Sequence, residues 1–273
     1  MKDILQKPAE NYQPRGRLDP AGFKRHVNFQ THLPPTDLVQ FIEHFWIIRW
    51  DKVDHTYYSE EVMHRPYVDV FFSIQQSGIQ GTFRGKRTYV ATGSGKIIGI
   101  RFRPGAFHAF WSGALADLQD KIIDLQQVFT QIDSLYLEHL LTLDDQNAIH
   151  EILKLVRAKD PQLDENIELI NEIVTAIETD ESLQTVTAVA KAFSRSERGL
   201  QQLFQEYIGV GLKWLLKRNR LLAAAQQIRE SDQPDLAAIA YDFGYSSQQH
   251  FITDFKQVTG KTPMQYKKEL TGL

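Results

Sequence analysis

The chain has 273 residues, of which 42% are hydrophobic and 24% charged, with a net charge of −3 and no cysteine. That length favours two domains, and the lack of cysteine excludes disulfides and thiolate metal sites. No apolar run approaches the ~18 residues that a membrane span needs. Met1 to Pro20 is polar and lacks the apolar core of a secretory signal, so a cytoplasmic protein with no membrane partner is expected.

Residues 1–35 are rich in turn formers and end in Pro34-Pro35, which predicts a loose arm with one strand around Val27–Phe29. Asp37 to Trp50 carries Leu38, Phe41, Ile42, Phe45 and Trp46 at helical spacing. From Ile47 to about Arg103 the texture changes. Short β-branched and aromatic runs (Val68–Ile74, Thr88–Ala91, Ile97–Phe102) alternate with Gly, Ser and Asn/Asp turns, predicting several short strands of an all-β sheet or barrel. Pro104-Gly105 stops the last strand, and Ala106 to Leu141 returns to helical spacing. Asp144 to Asp180 reads as two helices broken at Asp160-Pro161. The second has an apolar face of Ile167, Ile170, Ile173, Val174 and Ile177 opposite an acidic one.

The last ninety residues contain a repeat. Ala190 is followed ten residues later by Leu200, then by Phe204 and Gly209; Ala240 is followed eleven residues later by Phe251, then by Phe255 and Gly260. Each unit reads helix, short turn, helix, glycine stop. The small residue allows close helix approach, and the i, i+4 apolar pair seats the second helix. The glycine takes the left-handed conformation that ends it. Ser196 and Ser247 stand where N-caps belong, and Gly244 sits in a turn that needs positive φ.

This is the physics of a double helix-turn-helix. Arg198, Gln201, Gln202 and Gln205 project opposite the first apolar pair, and Gln248, Gln249, Thr253 and Lys256 opposite the second. Gln can bond adenine bidentately and Arg guanine, so both faces suit a major groove of double-stranded DNA. The helix Leu212 to Glu230 joins the units as a rigid spacer, which would set two recognition helices ~34 Å apart. Its Lys213, Lys217, Arg218, Arg220 and Arg229 are candidate phosphate contacts. Charge agrees: from Glu181 onward there are twelve basic and nine acidic residues, against 19 and 25 before it.

Ala240-Tyr-Asp-Phe-Gly-Tyr-Ser-Ser-Gln-Gln-His-Phe251, then Phe255-Lys256, Gly260-Lys-Thr-Pro263 and Tyr266-Lys267, resemble the signature of AraC/XylS-type transcription regulators. The first unit departs from that pattern. Ser194 stands where the family carries Gly, Arg195 replaces an apolar or aromatic residue, Gln202 replaces a basic one, and Gly199 lies inside the recognition helix. Gly99-Ile-Arg-Phe-Arg-Pro-Gly-Ala106, with Leu115, Leu118 and Leu125, is similar to a recurring N-terminal domain of such regulators.

The resemblance implies an α+β chain. Its N-terminal domain would be β-barrel-like and cupin-related, with flanking helices. Its C-terminal domain would be all-α, two helix-turn-helix units on a long helix. The expected plan is a sensor or effector domain over 1–143, a helical linker over 144–180 and a DNA-binding domain over 181–273. Ser196, Arg198, Gln201, Gln202, Gln205, Lys217, Arg218, Ser247, Gln248, Gln249, Thr253 and Lys256 are the candidate DNA contacts. A small-molecule effector, RNA polymerase and a second copy of the chain are the further partners implied.

Aromatic and polar residues in the N-terminal half offer an effector pocket, with Trp46, His64, Arg101 and Arg103 as the chosen candidates. Arg101 and Arg103, two apart on one expected strand, should share a face. His44, His55, His64 and His108 show no tight ligand spacing, so neither a metal nor a cofactor is expected. No G-x-S-x-G, phosphate-cradling loop, H-E-x-x-H or cysteine nucleophile is present, and no catalytic residue is assigned. Two alternatives stand beside the regulator. One is a β-barrel enzyme or metal-binding protein with a helical appendage; the other is an interaction module whose DNA binding has decayed.

Overall fold

The computed structural model describes residues 27–63, 66–84, 86–180 and 182–271. The chain is a mixed α/β protein, with an antiparallel sheet in its N-terminal half and a helical C-terminal half. Six strands, β1 (Asn28–His32), β2 (Ile42–Met63), β3 (Asp69–Phe72), β4 (Gly78–Gln80), β5 (Lys86–Phe102) and β6 (Ile122–Ile123), form one sheet in the order β1-β2-β5-β3-β4-β6. Every pairing is antiparallel.

Asp37 to Trp50 is not a helix: one turn closes between Pro35 and Ile42, and β2 starts at Ile42. A bulge between Ile42 and His44 explains the false period. The extra residue puts Ile42 and Phe45 three apart on the core-facing side, as a helix would. Nor are Thr88–Ala91 and Ile97–Phe102 separate strands. β5 runs through both, and Gly93, at φ 60, sits at an irregularity of the ladder instead of a chain reversal.

Alternate residues of the sheet face a core built from Phe45, Ile47, Val70, Phe72, Ile98, Ile100 and Phe102, all fully buried. Ala106 to Leu141, expected to be helical, is mostly three short 3-10 turns (Ala106–Phe110, Leu115–Leu118, Leu125–Gln127) with β6 between the second and third. Regular helix starts only at α1 (Ser134–Thr142), followed by α2 (Asp145–Arg157) and α3 (Glu165–Thr179). The break between α2 and α3 falls at Asp160-Pro161, as Pro dictates. The five isoleucine and valine residues expected on the inner face of α3 are all buried.

The C-terminal half comprises α4 (Val186–Ala192), α5 (Glu197–Tyr207), α6 (Leu212–Glu230), α7 (Leu236–Asp242), α8 (Gln248–Thr259) and α9 (Pro263–Thr271). Asp133, Asp144, Asp164, Thr185, Ser196, Asp235 and Ser247 each cap a helix by accepting a backbone N–H in its first turn. Each cap is worth about 1 kcal/mol, so the starts of these helices are written locally in the sequence. No helix among the described residues is long and apolar enough to cross a membrane.

Candidate nucleic-acid interface

The two helix-turn-helix units are built alike. In each, the first helix closes in a Schellman motif: Arg195 N–H reaches Ala190 O at 2.9 Å, and Tyr245 N–H reaches Ala240 O at 2.9 Å. The left-handed residue this requires is Ser194 (φ 51) in one unit and Gly244 (φ 72) in the other. The residue after it differs as well. Tyr245 is buried, its ring 5.3 Å from that of Phe251, whereas Arg195 is exposed. An aromatic residue at this place staples the turn to the core, and the first unit goes without one.

Ser196 Oγ accepts from Gly199 N–H at 3.0 Å and Ser247 Oγ from His250 N–H at 3.2 Å. Both serines therefore cap the helices that follow, α5 and α8. Leu200 and Phe204 seat α5, and Phe251 and Phe255 seat α8; all four are at most 1% exposed. Gly209 (φ 87) and Gly260 (φ 78) end these helices in the left-handed region, as their spacing predicts.

What remains outside is polar. Arg198, Gln201 and Gln202 are exposed on α5, with Gln205 half-buried; Gln248, Gln249, Thr253 and Lys256 are exposed on α8. Thr253 already donates its hydroxyl to Gln249 O at 2.9 Å, within its own helix.

The spacer α6 changes part of the contact set expected from sequence. Arg218 is 2% exposed and lies inside, so it is not placed to meet a phosphate. Lys217 donates to Asp254 Oδ1 on α8 at 2.7 Å. Arg220 lies over the Tyr245 ring, 5.5 Å from its centroid. Burial pushes the Tyr245 phenol up to about 12, with the Asp254 charge adding to the effect, so it remains protonated. Lys213 and Arg229 keep exposed side chains. Sequence reasoning missed Asp254 because its partner lies 37 positions away, and no periodicity announces such a pair.

The N-terminal candidates separate. Trp46 lies flat on Gly99: a Cβ built there would stand 2.1 Å from the indole. The Trp46 ring N–H is buried without an acceptor. Cross-strand pairing puts His44, Arg101, Asp69 and Gln80 in one row on the Trp46 face of the sheet. Arg101 grips Asp69 with two bonds, Nε to Oδ1 at 2.9 Å and Nη2 to Oδ2 at 2.7 Å, and stands 5.5 Å from the centre of the Tyr67 ring. Arg103 does not share that face. β5 ends at Phe102, and Arg103 turns back to donate to Val39 O at 2.6 Å. His64 lies outside the described residues.

Comparison with known proteins completes the picture. Residues 189–269 match a family model described as a helix-turn-helix domain, and residues 30–124 match one described as a domain of unknown function (DUF6597). An AraC-like transcription regulator of Streptomyces antibioticus is 38% identical over 84 residues, covering 31% of this chain and 27% of that one. An HTH-type transcriptional regulator of Haemophilus influenzae is 33% identical over 86 residues, 32% of this chain and 28% of that one. This chain thus spans little more than a quarter of the length of either relative.

The regulatory protein SoxS of Escherichia coli K12 is 34% identical over 85 residues, which is 31% of this chain and 78% of SoxS. Among solved structures, the C-terminal domain of AraT, a response regulator from Geobacillus stearothermophilus, aligns at 25% identity. Its TM-score is 0.34, covering 40% of this chain and 88% of that one. With its C-terminal third matched to most of SoxS and to the helix-turn-helix model, the chain belongs to the AraC family of transcriptional regulators.

Proposed function

We propose that the chain is a sequence-specific DNA-binding transcription regulator in which α5 and α8 enter successive major grooves. The observation that carries this reading is the duplicated exposed face. Two helices, each capped by a serine and seated by a buried i, i+4 pair, turn polar side chains outward, Arg and Gln from α5 and Gln, Thr and Lys from α8. Base readout falls to Arg198, Gln201, Gln202 and Gln205 on one helix and Gln248, Gln249 and Thr253 on the other. The capping serines, Lys256, Lys213 and Arg229 hold the phosphates.

In this reading residues 181–273 form the reader, 144–180 the connection and 1–143 a sensor whose sheet curls into a cupin-related barrel. The bulges along β2 supply the twist that such closure needs. Trp46 and the Arg101–Asp69 row form the face that meets a small-molecule effector, and a second copy of the chain and RNA polymerase complete the assembly. The protein works in the cytoplasm by binding, not by catalysis.

The test is fluorescence anisotropy of the full chain on pooled random duplex DNA across a salt series. The expected result is binding whose log affinity falls with log salt, by a slope of about −0.9 per phosphate neutralised. A full chain that binds no duplex at low salt, with or without added metabolite pools, overturns the proposal.

A further inference from the structure

The two units of the reader are alike in build but not in attachment. Three stretches of the N-terminal half converge on residues 207–209, at the end of α5. Tyr207 is 8% exposed; its hydroxyl donates to Asp164 Oδ2 at 3.0 Å and accepts from Asn166 Nδ2 at 3.2 Å, both at the start of α3. The His108 ring stacks on the Tyr207 ring, with centroids 4.0 Å apart and planes at 25°. Its Nε2 lies 3.3 Å from Glu206. Thr82 donates its buried hydroxyl to Ile208 O at 2.9 Å. Gly209 packs so tightly that a Cβ there would stand 2.6 Å from Leu115 O.

These ties bring apolar packing with them. Val189, Leu200, Phe204, Ile208 and Leu215 belong to the same continuous core as Phe45 and Ile98 of the sheet. The second unit has a core of its own, drawn entirely from residues 221–266. The border crosses α6. Its N-terminal half gives Leu212, Leu215 and Leu216 to the first core; its C-terminal half gives Leu221, Ala224, Ala225 and Ile228 to the second. Between them lie four polar residues, Lys217 to Arg220. Within that segment Asn219 Nδ2 and Arg220 Nε are buried with no hydrogen-bond partner. Apolar packing is interrupted there and polar satisfaction incomplete, while Lys217 bonds Asp254 and Gln257 of the second unit; such a segment is where two cores can part.

We infer that the first helix-turn-helix is an integral part of the N-terminal body, that Tyr207 is the positioning residue through which that body orients the first recognition helix, and that the second unit opens independently at Lys217–Arg220. The functional half of this inference rests on the DNA-reading proposal; the structural half does not. A reader whose first helix is fixed to the sensor and whose second is carried on a polar joint lets the sensor set the placement of one helix against the other. Two-groove reading tolerates little error in that placement.

The test begins with hydrogen exchange on the full wild-type chain, without DNA. Amides of α4 and α5 are expected to exchange together with β2 and β5, and those of α7–α9 in a separate, faster group. Exchange of α4–α5 together with α7–α9, or of the whole chain in one step, overturns the inference. The second arm compares wild type with Tyr207→Phe and with Thr82→Ala/Tyr207→Phe on a duplex selected by wild type from a random pool. Protection of α5 is expected to fall about tenfold in the double variant, with β2 and α7–α9 unchanged. Footprint protection should be lost over the half-site of the first unit only. Equal loss over both half-sites, or none, overturns the positioning role. If wild type selects no duplex, the DNA-reading proposal fails, and the exchange grouping still decides the structural half.

Discussion

Lys217 on α6 and Asp254 on α8 meet at 2.7 Å, with side chains only 29% and 15% exposed. The second recognition helix is therefore tied to the spacer by a charge pair as well as by its Phe251 and Phe255 anchors. Asp254 also lies 3.8 Å from His250 Nε2. A half-sheltered pair of this kind is worth more than a surface ion pair and less than a fully buried one, about 1 kcal/mol. Lys217→Met and Asp254→Asn are each expected to lower the stability of the second unit, with a coupling of that size in the double-mutant cycle. Additive effects of the two substitutions would show that the pair contributes nothing.

Ser194 holds a left-handed conformation that its counterpart Gly244 reaches without strain. A non-glycine residue there pays roughly 1 kcal/mol. Ser194→Gly removes that strain but raises the entropy of the unfolded chain, so a net gain of about 0.5 kcal/mol is expected. Gly244→Ala should cost about 1 kcal/mol or more. The midpoint of urea unfolding measures both, and a Ser194→Gly variant less stable than wild type would contradict the strain argument.

These turns, caps and anchors were legible in the sequence because each is enforced by neighbours within a few positions. Ser196 and Ser247 announce helix starts, and the paired apolar residues four apart announce which face goes inward. The N-terminal half was harder to read. Its pairings are non-local, and the bulge beside Ile42 imitates a helical period. Gly95 looks like a turn residue in sequence and Gly99 like a gap in a strand; in the structure they are flat beds for the indoles of Trp50 and Trp46. The docking of Tyr207 on Asp164 was invisible for the same reason: 43 residues separate the partners.

Asp37 and Arg157 join the chain ahead of β2 to the end of α2 through two hydrogen bonds, at 2.8 and 3.1 Å. Hydrogen bonding to Arg157, reinforced by its charge, lowers the Asp37 carboxyl below its ordinary 3.8. A group depressed in the folded state adds stability above its unfolded value and loses it as pH falls through the folded one. The contribution of Asp37 is therefore expected to be complete at neutral pH and to be lost as pH falls from its ordinary 3.8 through the lower folded value. Arg157→Ala should flatten that acid limb in a series of thermal melts, leaving the slope between pH 5 and pH 8 unaltered. The same acid limb in variant and wild type would refute it.

The groove assignment separates two kinds of residue by two kinds of loss. Arg198 and Gln249 are exposed at the starts of α5 and α8, where a recognition helix meets base edges. Replacing either by Ala should cost about 1–3 kcal/mol on the preferred duplex and relax the choice of base at one position. Lys256, also exposed, carries a single charge toward the end of α8. Lys256→Ala should weaken all sequences about equally and lower the salt slope by about 1. The comparison needs the selected duplex, one-base variants of it and four salt concentrations. Because Arg198 sits on the helix packed into the core of the N-terminal half and Gln249 on one packed in the separate second core, their lost base preferences should map to opposite half-sites. Preferences lost from the same half-site would mean that the two helices do not read successive grooves.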